Sequence, residues 1–310
     1  MGLIDFIVRC AQLALLLEVS GYPKPGNVHR ISDFKDTRYE HFLASAVAIE
    51  PCLRRAAYRG LKASRNLIGL DDLRLGYLIK YGVKEVSKWQ SGGNTCLGIL
   101  TLIIPLTCAA VISFREGLAN FRSYVEKIVK STTPRDSIDF YDAISIANPG
   151  GLGSSPRLDV KDLKSRDQIV RENIGLFEVF KISASYDLIS REWVTVFEIS
   201  FEVGSPYFTK LMNELGDVNV ATVHTFLKIL STYPDTLIAR KAGLDRAREV
   251  SDRAREVLNA GGLLTEDGKR MIWSLDRELR NEGNKLNPGS TADLVASSIM
   301  ISLLIGKIKL

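Results

Sequence analysis

Apolar residues recur at three- and four-residue steps along most of the chain. Leu3, Phe6, Cys10, Leu13 and Leu17 share one face, which predicts an amphipathic helix at the start. It must end before Gly21-Tyr22-Pro23-Lys24-Pro25-Gly26, where two prolines and two glycines forbid helix. Further helices are expected from about Arg38 to Arg65, Asp72 to Lys88, Glu116 to Lys130 and Asp136 to Ala147. Two segments, Cys96 to Ile112 and Leu294 to Ile305, are apolar on almost every side and must be buried. The first contains Thr101, Pro105 and Thr107 and is shorter than the ~20 residues a bilayer demands, so a core helix is expected and no membrane association. Residues 193–203, W-V-T-V-F-E-I-S-F-E-V, alternate like a strand, but their helical neighbours favour helix. The expected fold class is therefore all-α: a single large multi-helix domain over 1–310 with buried central helices.

The longest breaker-rich stretch, Asn148 to Pro156, is a candidate lid or sub-domain boundary. Residues 245–258 repeat D-R-A-R-E-V in two heptads, placing Ala247, Val250, Ala254 and Val257 on one seam. Two heptads are too few for a coiled coil. They suit helix packing inside the fold or across a homodimer.

Composition narrows the function classes. Net charge is only +5, from 41 basic and 36 acidic residues, and no long basic run exists. That gives no footing for nucleic acid and fits an anionic small molecule. With 4 cysteines, none in C-x-x-C spacing, and 3 histidines, a zinc cluster is not expected. Cys10, Cys52 and Cys108 sit in apolar helical stretches and read as core residues. So few cysteines, with Asp5 and Arg9 interrupting the first apolar segment, point to a reducing, cytoplasmic setting without a signal peptide.

Four polar segments interrupt the helices. In the first, Glu18 to Asp36, two prolines bracket Lys24 and stiffen its presentation; His29 and Arg30 follow. Asp33 and Asp36 come next, three apart; on a helix they would share a face suited to a divalent cation. In the second, Gly92-Gly93-Asn94-Thr95 opens the buried helix. Asn94 or Thr95 is a cap, and the free N–H groups suit an anion. In the third, Asp235 and Thr236 cap a helix that carries Arg240 and Lys241. In the fourth, Ser290 or Thr291 caps the last buried helix, with Asp293 in its first turn. A D-D-x-x-D metal motif fails, because Leu73-Arg74-Leu75 follows Asp71-Asp72.

Taken in order, the four segments resemble the triphosphoribosyl-dephospho-coenzyme A synthase family. Its E-V-x-x-x-P-K-P-G-x-V segment is matched from Glu18 to Val28, and its G-x-N-T-x-x-G segment by Gly92, Asn94, Thr95 and Gly98. D-T-x-x-x-[HR]-[RK]-x-G-L is matched from Asp235 to Leu244, and P-G-[GS]-[ST]-A-D-L from Pro288 to Leu294. The resemblance implies an all-helical enzyme that joins the ribose 2′-hydroxyl of 3′-dephospho-CoA to C1 of the ATP ribose and expels adenine. The product is the precursor of the prosthetic group of citrate lyase and malonate decarboxylase.

Displacement at a sugar carbon passes through an oxocarbenium-like state that a carboxylate stabilises, and a triphosphate calls for Mg²⁺ and cations. The implied catalytic positions are Glu18, Asp33, Asp36 and His29. Phosphate contacts fall to Lys24, Arg30, Asn94, Thr95, Arg240 and Lys241, and Mg²⁺ to Asp36, Asp235 and Asp293. Better-known members read G-x-N-T-H-K-G where this chain has Cys96 and Leu97, and carry histidine where it has Arg240. A divergent branch is thus implied. Transfer to another acceptor, N-glycosidic cleavage, or nucleotide binding without catalysis are the alternatives.

Overall fold

The computed structural model describes residues 2–153, 155 and 157–306. Among these residues the structure is helical with no β-strand, as the periodicity requires; an isolated backbone bridge joins His29 and Ser32. The chain forms two compact units, one of Met1–Leu13 and Ala44–Phe197, the other of Ala14–Leu43 and Glu198–Leu310. In chain order the first helices are α1 (Leu3–Ser20), α2 (Tyr39–Ala48), α3 (Glu50–Ser64), α4 (Leu75–Ser87) and α5 (Leu97–Ser113). Then come α6 (Phe121–Lys130), α7 (Pro134–Ala147), α8 (Leu163–Arg171), α9 (Leu176–Ser183) and α10 (Leu188–Val194). A π-helical turn, Ile199–Gly204, precedes α11 (Ser205–Leu215), α12 (Val218–Thr232) and α13 (Thr236–Ala242). The last are α14 (Leu244–Asn259), α15 (Glu266–Arg280) and α16 (Gly289–Ile305).

The first unit is built around α5, which packs on α3, α4, α6 and α10. Gly60 of α3 lies against the Cys108 backbone, so the two helices approach closer than any side chain there would allow. Pro105 sits inside α5 and has no N–H to give the carbonyl one turn back. That carbonyl, of Thr101, accepts the indole N–H of Trp193 at 3.0 Å instead. Beyond α10 the backbone turns through Val196 and Phe197, both left-handed (φ 56 and 57). A β-branched residue holds such a conformation only when its surroundings impose it. Arg122 of α6 does so, donating to the carbonyls of Val196 (2.9 Å) and Thr195 (3.3 Å).

The second unit is built around α16, covered by the π-helical turn, α11, α12 and α13. Its serines are satisfied inside the core. Ser298 donates to the Leu294 carbonyl at 2.6 Å and Ser302 to that of Ser205 at 3.1 Å. The heptad seam Ala247, Val250, Ala254 and Val257 is buried, and α14 packs on α12, α13 and α15. The echo therefore serves packing within this unit.

Several expectations change. The helix expected from Arg38 to Arg65 breaks at Ile49, because Pro51 fits a first turn and not an interior. Residues 193–203 are helical in two pieces, parted by the turn at 195–197. The breaker-rich stretch from Asn148 lies within the first unit, and the units part between Phe197 and Glu198 instead; its Ser154 and Pro156 lie outside the described residues. All four cysteines are free and buried. Among the described residues no helix is long and apolar enough to cross a membrane.

Candidate active site

Three of the four polar segments belong to the second unit and are joined there by direct bonds. The segment after α1 leaves through Gly21 and Tyr22, whose backbone N–H and C=O pair with the Asn219 side chain at 2.9 and 2.8 Å. Arg30 lies over the Tyr22 ring at 3.8 Å and donates to Asn219 Oδ1 at 3.4 Å. Gly26 has φ +70 and lies against Leu279, so no other residue fits without strain.

Lys24 is fully buried and ion-paired with Glu18, also buried. Burial pulls the ammonium down and pushes the carboxyl up; the pair's mutual attraction opposes both changes. Asp293 adds a second negative charge that favours the ammonium. Lys24 is therefore not presented outward by its prolines, as the sequence suggested, but points into the unit. His29 is likewise fully buried, and among the described residues neither ring nitrogen has a hydrogen-bond partner. Asp276 Oδ2 lies 3.9 Å from Nε2, and the Trp273 ring stands edge-on at 6.3 Å. Burial holds the imidazole below the usual histidine range.

Asp235 is buried and accepts four bonds. Oδ1 takes the N–H groups of Leu237 (2.8 Å) and Ile238 (3.1 Å), capping α13. Oδ2 takes the N–H (2.7 Å) and hydroxyl (2.9 Å) of Thr291, so one carboxylate fixes the starts of α13 and α16 together. Burial raises its pKa against these bonds. Thr236 and Ser290 hydroxyls meet at 3.0 Å, and the Asn27 amide reaches the Pro288 carbonyl at 3.4 Å. Ser290 and Thr291 lie in the first turn of α16, two and three residues past the cap position, which Pro288 holds instead.

Nearer the surface, Lys241 donates to the Asn284 carbonyl at 3.0 Å, and the Asn284 amide donates to exposed Asp36 at 3.4 Å. Burial lowers the Lys241 pKa while Asp36 and Asp235 resist the change. Asp33 and Asp36 stand on a loop and not on a helix face. Asp33 Oδ1 accepts the Tyr39 N–H at 2.7 Å and so caps α2. Arg30, Asp33, Asp36 and Arg240 are exposed, and Asp293 is partly so.

The fourth segment belongs to the first unit. Asn94 Oδ1 accepts the N–H of Leu97 at 3.0 Å and caps α5, and the Thr95 hydroxyl meets that of Ser45 at 2.6 Å. Cys96 and Leu97 are buried.

A family model described as ATP:dephospho-CoA triphosphoribosyl transferase matches residues 4–309. The chain belongs to this family.

Among its relatives is the Klebsiella pneumoniae protein named "2-(5''-triphosphoribosyl)-3'-dephosphocoenzyme-A synthase", 34% identical over 97 residues. That match spans 31% of this chain and 32% of the relative, about a third of its length. A Vibrio cholerae protein named "Probable 2-(5''-triphosphoribosyl)-3'-dephosphocoenzyme-A synthase" is 22% identical over 298 residues, 93% of this chain and 84% of that one. The fold is similar to a crystal structure from Archaeoglobus fulgidus, provisionally named triphosphoribosyl-dephospho-coA synthase. The TM-score is 0.62 at 25% identity, over 85% of this chain and 99% of that one.

Among the described residues no three His, Cys, Asp or Glu side chains are placed to hold a metal ion. The family's triphosphate chemistry does not require such a cage, since Mg²⁺ takes one or two carboxylates and completes its shell with phosphate and water. Asp36, exposed and with only long contacts, fits that role. Asp235 does not fit it, because both its oxygens are engaged in capping.

Asp276 and Arg280 of α15 escaped the sequence reading. Arg280 donates through Nε to both Asp276 oxygens (2.9 and 3.0 Å), and Asp276 Oδ1 also accepts the Gly26 N–H at 2.9 Å. Burial alone would raise the Asp276 carboxyl; nearby His29 and Arg280, with the Gly26 N–H, hold it below the usual range. The signal was present: Asp276 falls on the apolar stripe of Ile272, Leu275 and Leu279.

Proposed function

We propose that this chain transfers the triphosphoribosyl group of ATP to the ribose 2′-hydroxyl of 3′-dephospho-CoA and releases adenine, as a magnesium-dependent enzyme of the cytoplasm. The observation that carries the reading is the family match from residue 4 to 309, joined to the bonding of three motif segments in one unit.

In this reading the exposed rim receives the triphosphate. Arg30, Arg240 and Lys241, all of the second unit, supply positive charge to it. Mg²⁺, when bound, neutralises phosphate charge and is held by Asp36 and Asp293 together with phosphate oxygens. The carboxylate of Asp33 opposes the positive charge that develops at the sugar carbon, while Glu18, implied there by the resemblance, is buried against Lys24. His29, kept neutral by burial, is the group suited to take the hydroxyl proton. The C1–N bond to adenine breaks with its electron pair, the C1–O bond forms, and the proton ends on adenine. Beneath the rim, the Lys24–Glu18 pair folds the first segment back on α1, and Asp235 joins the third segment to the fourth.

Burial of Cys96 and Leu97, where better-known members have His and Lys, favours a second reading in which the acceptor is another nucleotide. Chromatography of free adenine, with ATP and magnesium, tests both. Release that requires dephospho-CoA is the expected result. Release without an acceptor means glycosidic cleavage, and release only with other nucleotides means another acceptor. No release, with ATP still bound, means a binding protein. Asp36→Asn and Asp293→Asn are each expected to reduce turnover at least ~100-fold; full activity removes the residue from the site.

A further inference from the structure

Arg280 is the last residue of α15, and a Lys or Arg one turn after an acid on a helix is ordinarily a solvated pair worth about 0.3–0.5 kcal/mol. This pair is different, because its side chains are only 16% and 5% exposed. The guanidinium also reaches off the helix. Nη2 donates to the Asn27 carbonyl and Nη1 to the Asp33 carbonyl at 3.3 Å, while the carbon lies 5.2 Å from the centre of the Phe34 ring. One side chain thus grips the backbone on both sides of Arg30, just before Asp36. Asp276 holds the same segment at Gly26 and fixes the plane of the guanidinium. Only a planar fork reaches these acceptors together; an ammonium at this position would not.

We propose that Arg280, seated by Asp276, is a positioning residue for the triphosphate end of ATP. It holds Asn27–Asp33 in place and so fixes Arg30, Asp33 and Asp36 before the nucleotide arrives. The inference rests on the transfer reading above and deepens it by assigning ATP affinity to a residue that acts through the backbone of the first segment and not by touching the nucleotide. Without the grip, the segment must be ordered by ATP itself, and that ordering weakens binding.

The test compares wild type with Arg280→Lys and Arg280→Gln. The expected result is a rise of roughly tenfold or more in both the KM for ATP and the Kd for ATP by calorimetry on the isolated protein, the scale of ordering one or two long side chains. The KM for dephospho-CoA and kcat at saturating ATP stay within about twofold. Arg280→Lys keeps the charge and should not rescue the loss. A purely structural role predicts the opposite split, with a smaller active fraction, lower kcat and unchanged ATP affinity, and that result overturns the proposal. If Arg280→Gln does not fold, Asp276→Asn takes its place, since its amide oxygen still accepts the Gly26 N–H. It should show the same loss of ATP affinity by calorimetry, the readout used because Asp276 also faces His29, and wild-type ATP affinity there overturns the proposal too. Wild-type protein that binds ATP without releasing adenine overturns the transfer reading but not the positioning role. Equal ATP affinity in wild type and Arg280→Lys does the reverse.

Discussion

Helices α5 and α16 are each 17 residues long, apolar on nearly every side, and entered through a polar segment of the family motif. Their entrances are built differently. At α5 the cap comes from within the loop, where Asn94 accepts the N–H of Leu97 three residues on. At α16 the corresponding bonds come from Asp235, 56 residues earlier, which at the same time caps α13. A local cap stabilises one helix end, whereas a shared one couples two helix ends from distant parts of the chain. Of the motif residues that depart from the family's better-known pattern, Cys96 and Leu97 belong to the locally capped entrance and Arg240 to α13, whose start Asp235 caps.

The contrast is open to attack by mutation. The largest effect is expected beneath the rim. Lys24→Met leaves Glu18 as an unpaired buried carboxylate and should cost roughly 3–5 kcal/mol in chemical denaturation. Pairing it with Glu18→Leu should recover most of that stability. If the double variant is stable and fully active, the pair is scaffold alone; if stable and inactive, one of the two acts in the reaction. Next comes Asp235→Asn. An amide offers one acceptor oxygen and sets an NH2 against the Thr291 N–H, a loss of about 2–3 kcal/mol. A loss under 1 kcal/mol would mean that the α16 entrance does not depend on the distant carboxylate.

Asn94→Ala removes only a local cap and should cost about 1 kcal/mol, visible as a small shift in the denaturation midpoint. A cost equal to that of Asp235→Asn would erase the distinction between the two entrances. The smallest effect is on pH dependence. Because burial lowers the His29 pKa, the unfolded chain takes up its proton first as pH falls. Stability conferred by neutral His29 is complete above the ordinary histidine value of about 6.5 and declines as pH drops through the lower folded value. His29→Gln should flatten that decline in a series of denaturation curves, and an unchanged slope would show that the ring is not held neutral.

Both buried helices were legible in the sequence, because an unbroken apolar run has few other destinations and because Gly, Asn, Ser and Thr mark its start. The joining of three segments around Asp235 was only half legible. Its cap on α13 is written in the two residues that follow it, but the bonds to Thr291 depend on the return of the chain after α15. Lys24 misled for a related reason. Flanking prolines set the local backbone, but whether the side chain faces solvent or Glu18 is decided by how α1 and its following loop pack. Asp276 and Arg280 were hidden by their commonness, since an Asp-Arg pair one turn apart is the usual dress of a surface helix. The clue was the position of the acid among Ile272, Leu275 and Leu279, where a surface pair has no reason to be.

Pro105 of α5 and Trp193 of α10 constrain the order in which the protein could have changed. A proline arriving first would have stranded the Thr101 carbonyl in a dry interior, whereas a tryptophan arriving first could have used that oxygen's second lone pair. The smoother route puts the indole first, so any homologue with proline at this position should also carry tryptophan or another donor at that carbonyl.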